Sequence, residues 1–216
     1  MDWTFPHKTC EAVRKHQWVE QPYSCFMNIL SSLFLFYYFL IAKTFWTKSV
    51  IFSFFLFELF HAYSHAQHLK GQTQVRVIHL LSYLFNVCLF FCLKQNLPIP
   101  RTKLFFLLCV LILDVSVFLF SEHKIFQVLT GFLLLISIVV VFLPTIPRQE
   151  RQLFVVLVVL GVLITLQIMM ESMYCETWMS WHPLPYHIVI EFMGLIAFIL
   201  LAHILVRLEQ RRKTSP

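Results

Sequence analysis

Histidine, glutamate and serine side chains recur at helical spacing inside apolar stretches of this 216-residue sequence. The most prominent group lies in the second apolar stretch and comprises Glu58, His61, Ser64, His65 and His68. At about 100° per residue, the glutamate and the three histidines fall within about 80° of one another on a helix, and the serine flanks them. Ionisable groups in a bilayer are costly unless they meet a partner, water or an ion. This face is therefore a candidate functional site.

Two other apolar stretches carry matching groups. In the third, His79, Ser82 and Asn86 share a helical face, and in the seventh, His187 and Glu191 lie one turn apart. Imidazole nitrogen and carboxylate oxygen are both ligands of Zn²⁺, and three protein ligands plus a water are typical of a catalytic zinc site. The pattern indicates a metal site or a proton network shared by three helices.

The elements that must position these groups are long and apolar. The residues AVILMFWYC make up 59% of the chain and DEKR only 13%, against about one quarter charged in a soluble domain. Apolar runs repeatedly reach the roughly 17 to 25 residues needed to cross a bilayer. We expect an all-α polytopic membrane protein, a single domain over residues 1–216. Its seven transmembrane helices are predicted near 25–46, 49–68, 76–94, 103–120, 125–143, 152–171 and 185–206.

The distribution of Lys and Arg predicts the orientation of the helices. Seven spans put the termini on opposite sides, and a cytoplasmic C-terminus places eleven of the 17 basic residues inside. These eleven are Lys43, Lys48, Lys94, Arg101, Lys103, Arg148, Arg151, Arg207, Arg211, Arg212 and Lys213. Residues 1–24 are then lumenal or extracellular, and 207–216 form a basic cytoplasmic tail. The net charge of +6 is interpreted as a topology signal, so no nucleic-acid partner is expected.

This topology brings the polar groups to a common depth. The second helix ends, and the third and seventh begin, on the N-terminal side of the membrane. Five histidines can therefore converge there, namely His65, His68, His79, His182 and His187. Asp114 in the fourth helix, and Gln167 and Glu171 in the sixth, are interpreted as hydrogen-bonding groups of the bundle.

Three of the six cysteines lie near the aqueous boundary. Cys88, Cys92 and Cys109 fall in apolar runs, where a free thiol behaves as a small hydrophobe. The others are Cys10, Cys25 and Cys175. One disulfide among these three fits their placement, but spacing does not say which pair forms it.

Several short motifs, taken in order, resemble the alkaline ceramidase family. This family belongs to a wider superfamily of seven-helix membrane hydrolases that also includes the progestin and adipoQ receptors. The motifs are Cys10-Glu11, Trp18-x-Glu20-x-Pro22, Asn28-x-Leu30-Ser31-x-Leu33, Ser64-x3-His68, His79, Cys175-Glu176, and His187-x3-Glu191 followed by Gly194.

The resemblance implies a zinc-dependent hydrolase that cleaves an amide or ester bond of a membrane lipid such as ceramide. The implied zinc ligands are His68, His187 and Glu191, with His65, beside His61, as an alternative to His68. Ser64 would hydrogen-bond the oxyanion, and His79 would take the place of the family's Asp. A Ca²⁺ site near the N-terminus is matched only by Trp18 and Glu20. The implied location is the endoplasmic reticulum, the Golgi or the plasma membrane.

Two departures from the family pattern affect the chemistry. Glu191 stands where the family has a histidine, which keeps a zinc ligand but adds a negative charge that makes a bound water less acidic. His79 stands where the family has an Asp, which replaces a carboxylate base by an imidazole. Metal binding is thus better supported by the sequence than ceramide hydrolysis.

Two alternative classes remain open at this point. One is a non-enzymatic, receptor-like or channel-like seven-helix protein whose polar cluster is structural or relays protons. The other is a di-iron membrane oxidase, because His61-x3-His65-x2-His68 superficially resembles a histidine box, although such enzymes lack the layout seen in this chain. Metal content distinguishes the three classes.

Overall fold

The computed structural model describes residues 10–14, 17–67, 72–120 and 124–214. Within these ranges the chain forms seven α-helices and one 3-10 turn, Leu143–Thr145, and no strand. The helices are α1 Pro22–Ile41, α2 Phe45–Ala66, α3 Gln72–Asn96, α4 Arg101–Phe120, α5 Lys124–Phe142, α6 Arg148–Trp181 and α7 His187–Thr214. The predicted all-α class is confirmed.

Each predicted apolar segment coincides with one of these helices, and the largest difference is at the end of α6. The sequence pattern places a connection at 172–183, whereas α6 continues to Trp181. No Gly or Pro interrupts residues 172–181, so nothing in the backbone ends the helix there. Pro183 and Pro185 then separate α6 from α7.

Among the described residues, three helices are long and apolar enough to cross a membrane, over Pro22–Ile41, Arg148–Ile168 and His187–Arg212. Large apolar side chains such as Phe36, Phe105 and Val159 also point outward. A surface of this kind is suited to lipid, which supports association with a membrane. The count of seven spans and the orientation of the termini stay predictions.

The apolar core occupies one end of the bundle. Val50, Leu93, Leu107, Phe142 and Leu205 are almost completely buried there, on five different helices. Polar contacts close the same end, where the Glu209 carboxylate accepts the Lys43 backbone N–H at 2.9 Å and Arg211 pairs with Glu150 at 2.9 Å. The opposite end, where α2 ends and α7 begins, holds the polar groups and is called the histidine end below.

The segment before α1 is fastened to the histidine end. Glu11 caps α1, because its carboxylate accepts the backbone N–H groups of Tyr23 at 2.8 Å and Ser24 at 2.9 Å. The backbone N–H of Glu20 donates to Ala66 O at 2.9 Å, so the same segment also covers the C-terminus of α2. Two orphan ends of helices are thereby satisfied by one stretch of chain.

A disulfide joins Cys10 to Cys175 on α6. The sequence left open whether Cys10, Cys25 and Cys175 form a disulfide, and the structure pairs Cys10 with Cys175 and leaves Cys25 as a buried free thiol. The bond fixes the N-terminal segment to the C-terminal part of α6, beside the start of α7.

Candidate metal centre

Two helices supply the inner groups of the site. α2 presents His61 and His65 one turn apart, and α7 presents His187 and Glu191 in the same way. The His65 Nε2 atom lies 3.1 Å from His61 Nε2 and 3.6 Å from Glu191 Oε1. One ligand atom from each of His61, His65 and Glu191 lies within 4.8 Å of the others, so these three residues can hold a metal ion.

Gln21 orients the imidazole of His65. The Gln21 side-chain amide donates to Glu11 O at 3.3 Å, which turns its Oε1 towards His65 Nδ1 at 2.8 Å. Since Oε1 can only accept, Nδ1 carries the proton of a neutral ring, and Nε2 presents a lone pair to His61 and Glu191. Ligating histidines commonly donate their other ring N–H to such a second partner.

Glu171 on α6 orients the imidazole of His187 in a similar way. Both of its carboxylate oxygens lie 3.0 Å from His187 Nδ1. The Cys10 backbone N–H donates to Oε1 of the same carboxylate at 2.7 Å. His187 Nε2 then faces Glu191 Oε1 at 3.0 Å.

Three glutamate side chains are buried in this region. Glu58, Glu171 and Glu191 are 1%, 2% and 9% exposed, and Ser31 hydrogen-bonds Glu58. In the described part of the chain, the groups that form ion pairs with Glu191 are all histidines, namely His61, His65 and His187. Buried carboxylates need compensating positive charge, which protonated histidine or a bound cation can supply.

Just beyond the site, Tyr186 packs between α6 and α7. Its hydroxyl donates to Gln167 Oε1, and its ring meets that of Trp178 edge to face at 5.3 Å. Burial, and then the negative charge of Glu171, raise the pKa of Tyr186 above its usual value. The phenol therefore stays a hydrogen-bond donor that ties α7 to α6.

The donor set fits a zinc ion. Neutral imidazoles and one carboxylate are zinc ligands, and bonds of about 2.0 to 2.1 Å in a tetrahedron separate ligand atoms by about 3.3 Å. The corresponding distances are 3.1 Å from His61 to His65, 3.6 Å from His65 to Glu191 and 4.0 Å from His61 to Glu191. Small side-chain adjustments would bring all three atoms to bonding distance.

The residues predicted from sequence are distributed unevenly around this centre. His65, His187 and Glu191 come together as expected, and Ser64 is buried on α2 next to His65. His68 lies outside the described residues. His79 belongs to α3, but its side chain is outside what the structure describes. The group that could hold a metal ion contains His61, which the sequence analysis names only as the neighbour of the alternative ligand His65.

The proposed calcium ligands belong to the segment before α1. The Trp18 side chain is 96% exposed, and Glu20 uses its backbone N–H to contact α2. Neither of these two observations supports a calcium site at Trp18 and Glu20.

Two residues that matter for the site were not recognised as part of it from the sequence. Gln21 precedes α1, so the helical spacing that indicates the other site residues does not include it. The sequence predicts Glu171 as a hydrogen-bonding group of the bundle, and the structure places its carboxylate beside His187.

The chain was compared with family models, curated proteins and solved structures, and none of them matches it.

Proposed function

We propose that this protein is a seven-helix integral-membrane hydrolase with a zinc ion at its histidine end. Its reaction is cleavage of an amide or ester bond in a lipid of the ceramide type. The observation that carries the proposal is the convergence of His61, His65 and Glu191, whose nitrogen and oxygen ligand atoms lie within 4.8 Å of one another inside an apolar bundle. The resemblance to alkaline ceramidases supports the reaction class.

The orientation follows from two independent features. The excess of Lys and Arg towards the C-terminal side favours a cytoplasmic C-terminus. The Cys10–Cys175 disulfide lies at the histidine end, and disulfides persist in the lumen of the secretory pathway and outside the cell. The site therefore opens to the lumenal or extracellular leaflet of the endoplasmic reticulum, the Golgi or the plasma membrane.

His61, His65 and Glu191 would hold the ion, and Gln21 would keep His65 in the tautomer that binds metal. A zinc ion in such a site lowers the pKa of a water molecule and polarises a carbonyl group. Together with the carboxylates of Glu171 and Glu191, a divalent cation leaves the buried cluster close to neutral.

Ser64 is the residue of this chain best suited to assist the substrate carbonyl. It lies on α2 between His61 and His65 and is buried at the same depth. Its hydroxyl can donate a hydrogen bond to the carbonyl oxygen as negative charge develops there. Because the reacting bond of a ceramide lies near the bilayer surface, a lipid can reach this depth without leaving the membrane.

The experiment is metal analysis and lipid hydrolysis on the same detergent-purified preparations. Wild-type protein should contain about one zinc per chain and should release fatty acid from a panel of lipid amides and esters. The double variant His61→Ala/His65→Ala should lose both properties. His203→Ala is the control, because His203 lies at the other end of α7 and contacts Tyr38 Oη at 3.4 Å. Two irons per chain would instead indicate an oxidase.

A second candidate function rests on His187. Its ring lies between the carboxylates of Glu171 and Glu191, at 3.0 Å from each, an arrangement that a protonated imidazole satisfies without metal. A receptor-like or channel-like protein could use this chain of groups to hold or relay a proton. Wild-type protein that is stable, free of metal and inactive on the whole lipid panel would favour this candidate.

A further inference from the structure

Glu171 is a buried carboxylate that contacts the site through another residue. It is 2% exposed, lies on α6, and holds His187 Nδ1 at 3.0 Å from both of its oxygens. Its Oε1 also accepts the Cys10 backbone N–H at 2.7 Å. We propose that Glu171 is a positioning residue for His187 and that the Cys10–Cys175 disulfide keeps it in place. The consequence for metal binding rests on the function proposed above.

The orientation of His187 follows from the hydrogen-bonding capacity of the two groups. An ionised carboxylate only accepts, so Glu171 requires a proton on Nδ1, and Nε2 holds Glu191 Oε1 by a hydrogen bond when it carries a proton as well. Glu171 on one side and Glu191 on the other thereby fix the orientation of the ring. Glu191 is in turn held by Nε2 at 3.0 Å, so the effect of Glu171 reaches a proposed zinc ligand through His187.

The disulfide is what brings the Cys10 amide to Glu171. Cys175 lies one helical turn after Glu171 on α6, so the bridge places Cys10 directly over this carboxylate. Tyr186 and Ile190 pack around Cys10 and complete its buried contact with α7. Without the bridge, Cys10 is held through its neighbour Glu11, whose carboxylate caps the start of α1.

Reduction of the bridge would therefore loosen the metal site. A dithiol breaks the S–S bond, becomes a disulfide itself, and leaves two thiols at Cys10 and Cys175. The Cys10 amide is then free to leave Glu171, which relaxes the restraint on His187. Zinc affinity should fall on reduction although neither cysteine is a proposed ligand.

The test measures zinc affinity of the full-length protein in detergent by competition with a chromophoric chelator. Glu171→Gln should lower affinity, by less than the about 10-fold to 100-fold that loss of a direct partner of a ligand costs, because His187 lies between Glu171 and Glu191. Glu176→Gln, an exposed carboxylate on the same helix, should change nothing. Cys175→Ser should lower affinity in wild-type protein but add little in the Glu171→Gln background, because both changes act on one contact.

A second readout does not depend on zinc. The ¹⁵N chemical shifts of the His187 ring in metal-free protein report how each ring nitrogen is protonated and hydrogen-bonded. Glu171→Gln should change them strongly, Cys175→Ser should change them in the same direction, and Glu176→Gln should leave them as in wild type. If wild-type protein binds no zinc yet these shifts depend on Glu171 and Cys175, the positioning role stands and the zinc proposal fails. If Glu171→Gln folds with wild-type shifts and affinity, the positioning proposal is overturned.

Discussion

The imidazole of His187 links two buried carboxylates that come from different helices. Its Nε2 lies 3.0 Å from Oε1 of Glu191, one turn later on α7, while its Nδ1 faces Glu171 on α6. Glu191 in turn faces His61 and His65 on α2. Glu191 therefore connects the histidines of α2 to His187 and, through it, to Glu171 beside the disulfide. Changes at Glu191 should have the largest effect on the site.

The first prediction compares two substitutions of Glu191. Glu191→Gln should lower zinc affinity, because an amide is a poor ligand. Glu191→His should retain or raise it, because imidazole is a good one. Bound zinc per chain is measured for both variants at equal expression. Wild-type zinc content in both would show that Glu191 is not a ligand.

The second prediction concerns Gln21, which orients His65 from outside the helices. Gln21→Ala removes the acceptor that lies 2.8 Å from His65 Nδ1, so the ring loses its fixed tautomer and orientation. Zinc affinity should fall by about 10-fold to 100-fold. Gln17→Ala is the matched control, since Gln17 is exposed in the same segment. Equal affinity in the two variants would contradict the role of Gln21.

The third prediction tests the cap on α1. Glu11 accepts the backbone N–H groups of Tyr23 and Ser24 and, at 2.6 Å, the Ser24 hydroxyl. Glu11→Gln removes the charge that these donors and the helix N-terminus favour, which should cost about 1 to 3 kcal/mol. Thermal unfolding in detergent should show a lower midpoint than wild type or Glu176→Gln. An unchanged midpoint would mean that the cap contributes little.

The helices could be predicted from the sequence because each apolar run is bounded by charges or prolines. The packing of α2 against α7 at this end could also be predicted, because ionisable side chains in apolar helices need polar partners. The presence of His61 in the cluster could not be predicted, because the helical spacing of the sequence puts His61, His65 and His68 on one face and treats them alike. The pairing of Cys10 with Cys175, and the contacts made by Gln21 and Glu171, depend on how separate helices pack.

The fourth prediction concerns topology. A tag at the C-terminus should be cytoplasmic and one at the N-terminus lumenal or extracellular, because Lys and Arg are concentrated on the C-terminal side. Protease protection of both tags in sealed microsomes provides the measurement. Both tags on one side would exclude a seven-span arrangement, and the lumenal site with it.

The last prediction separates metal binding from catalysis. Ser64→Ala should leave zinc content unchanged but reduce turnover of a ceramide-type substrate, because the hydroxyl acts on the developing oxyanion and not on the metal. Losing one such donor typically costs about 100-fold to 1,000-fold in rate. His65→Ala should remove both zinc and activity, since His65 is the ring that faces both His61 and Glu191.

The control for this series is His203→Ala, which should change neither property, and all three variants need the same elution profile as wild type. A loss of zinc in Ser64→Ala would place the serine in the metal site itself. Unchanged turnover in that variant would remove its catalytic role. If wild-type protein binds zinc but cleaves no lipid amide or ester, the departures from the family pattern at Glu191 and His79 have ended the hydrolytic chemistry. The receptor-like function then becomes the better account of the cluster.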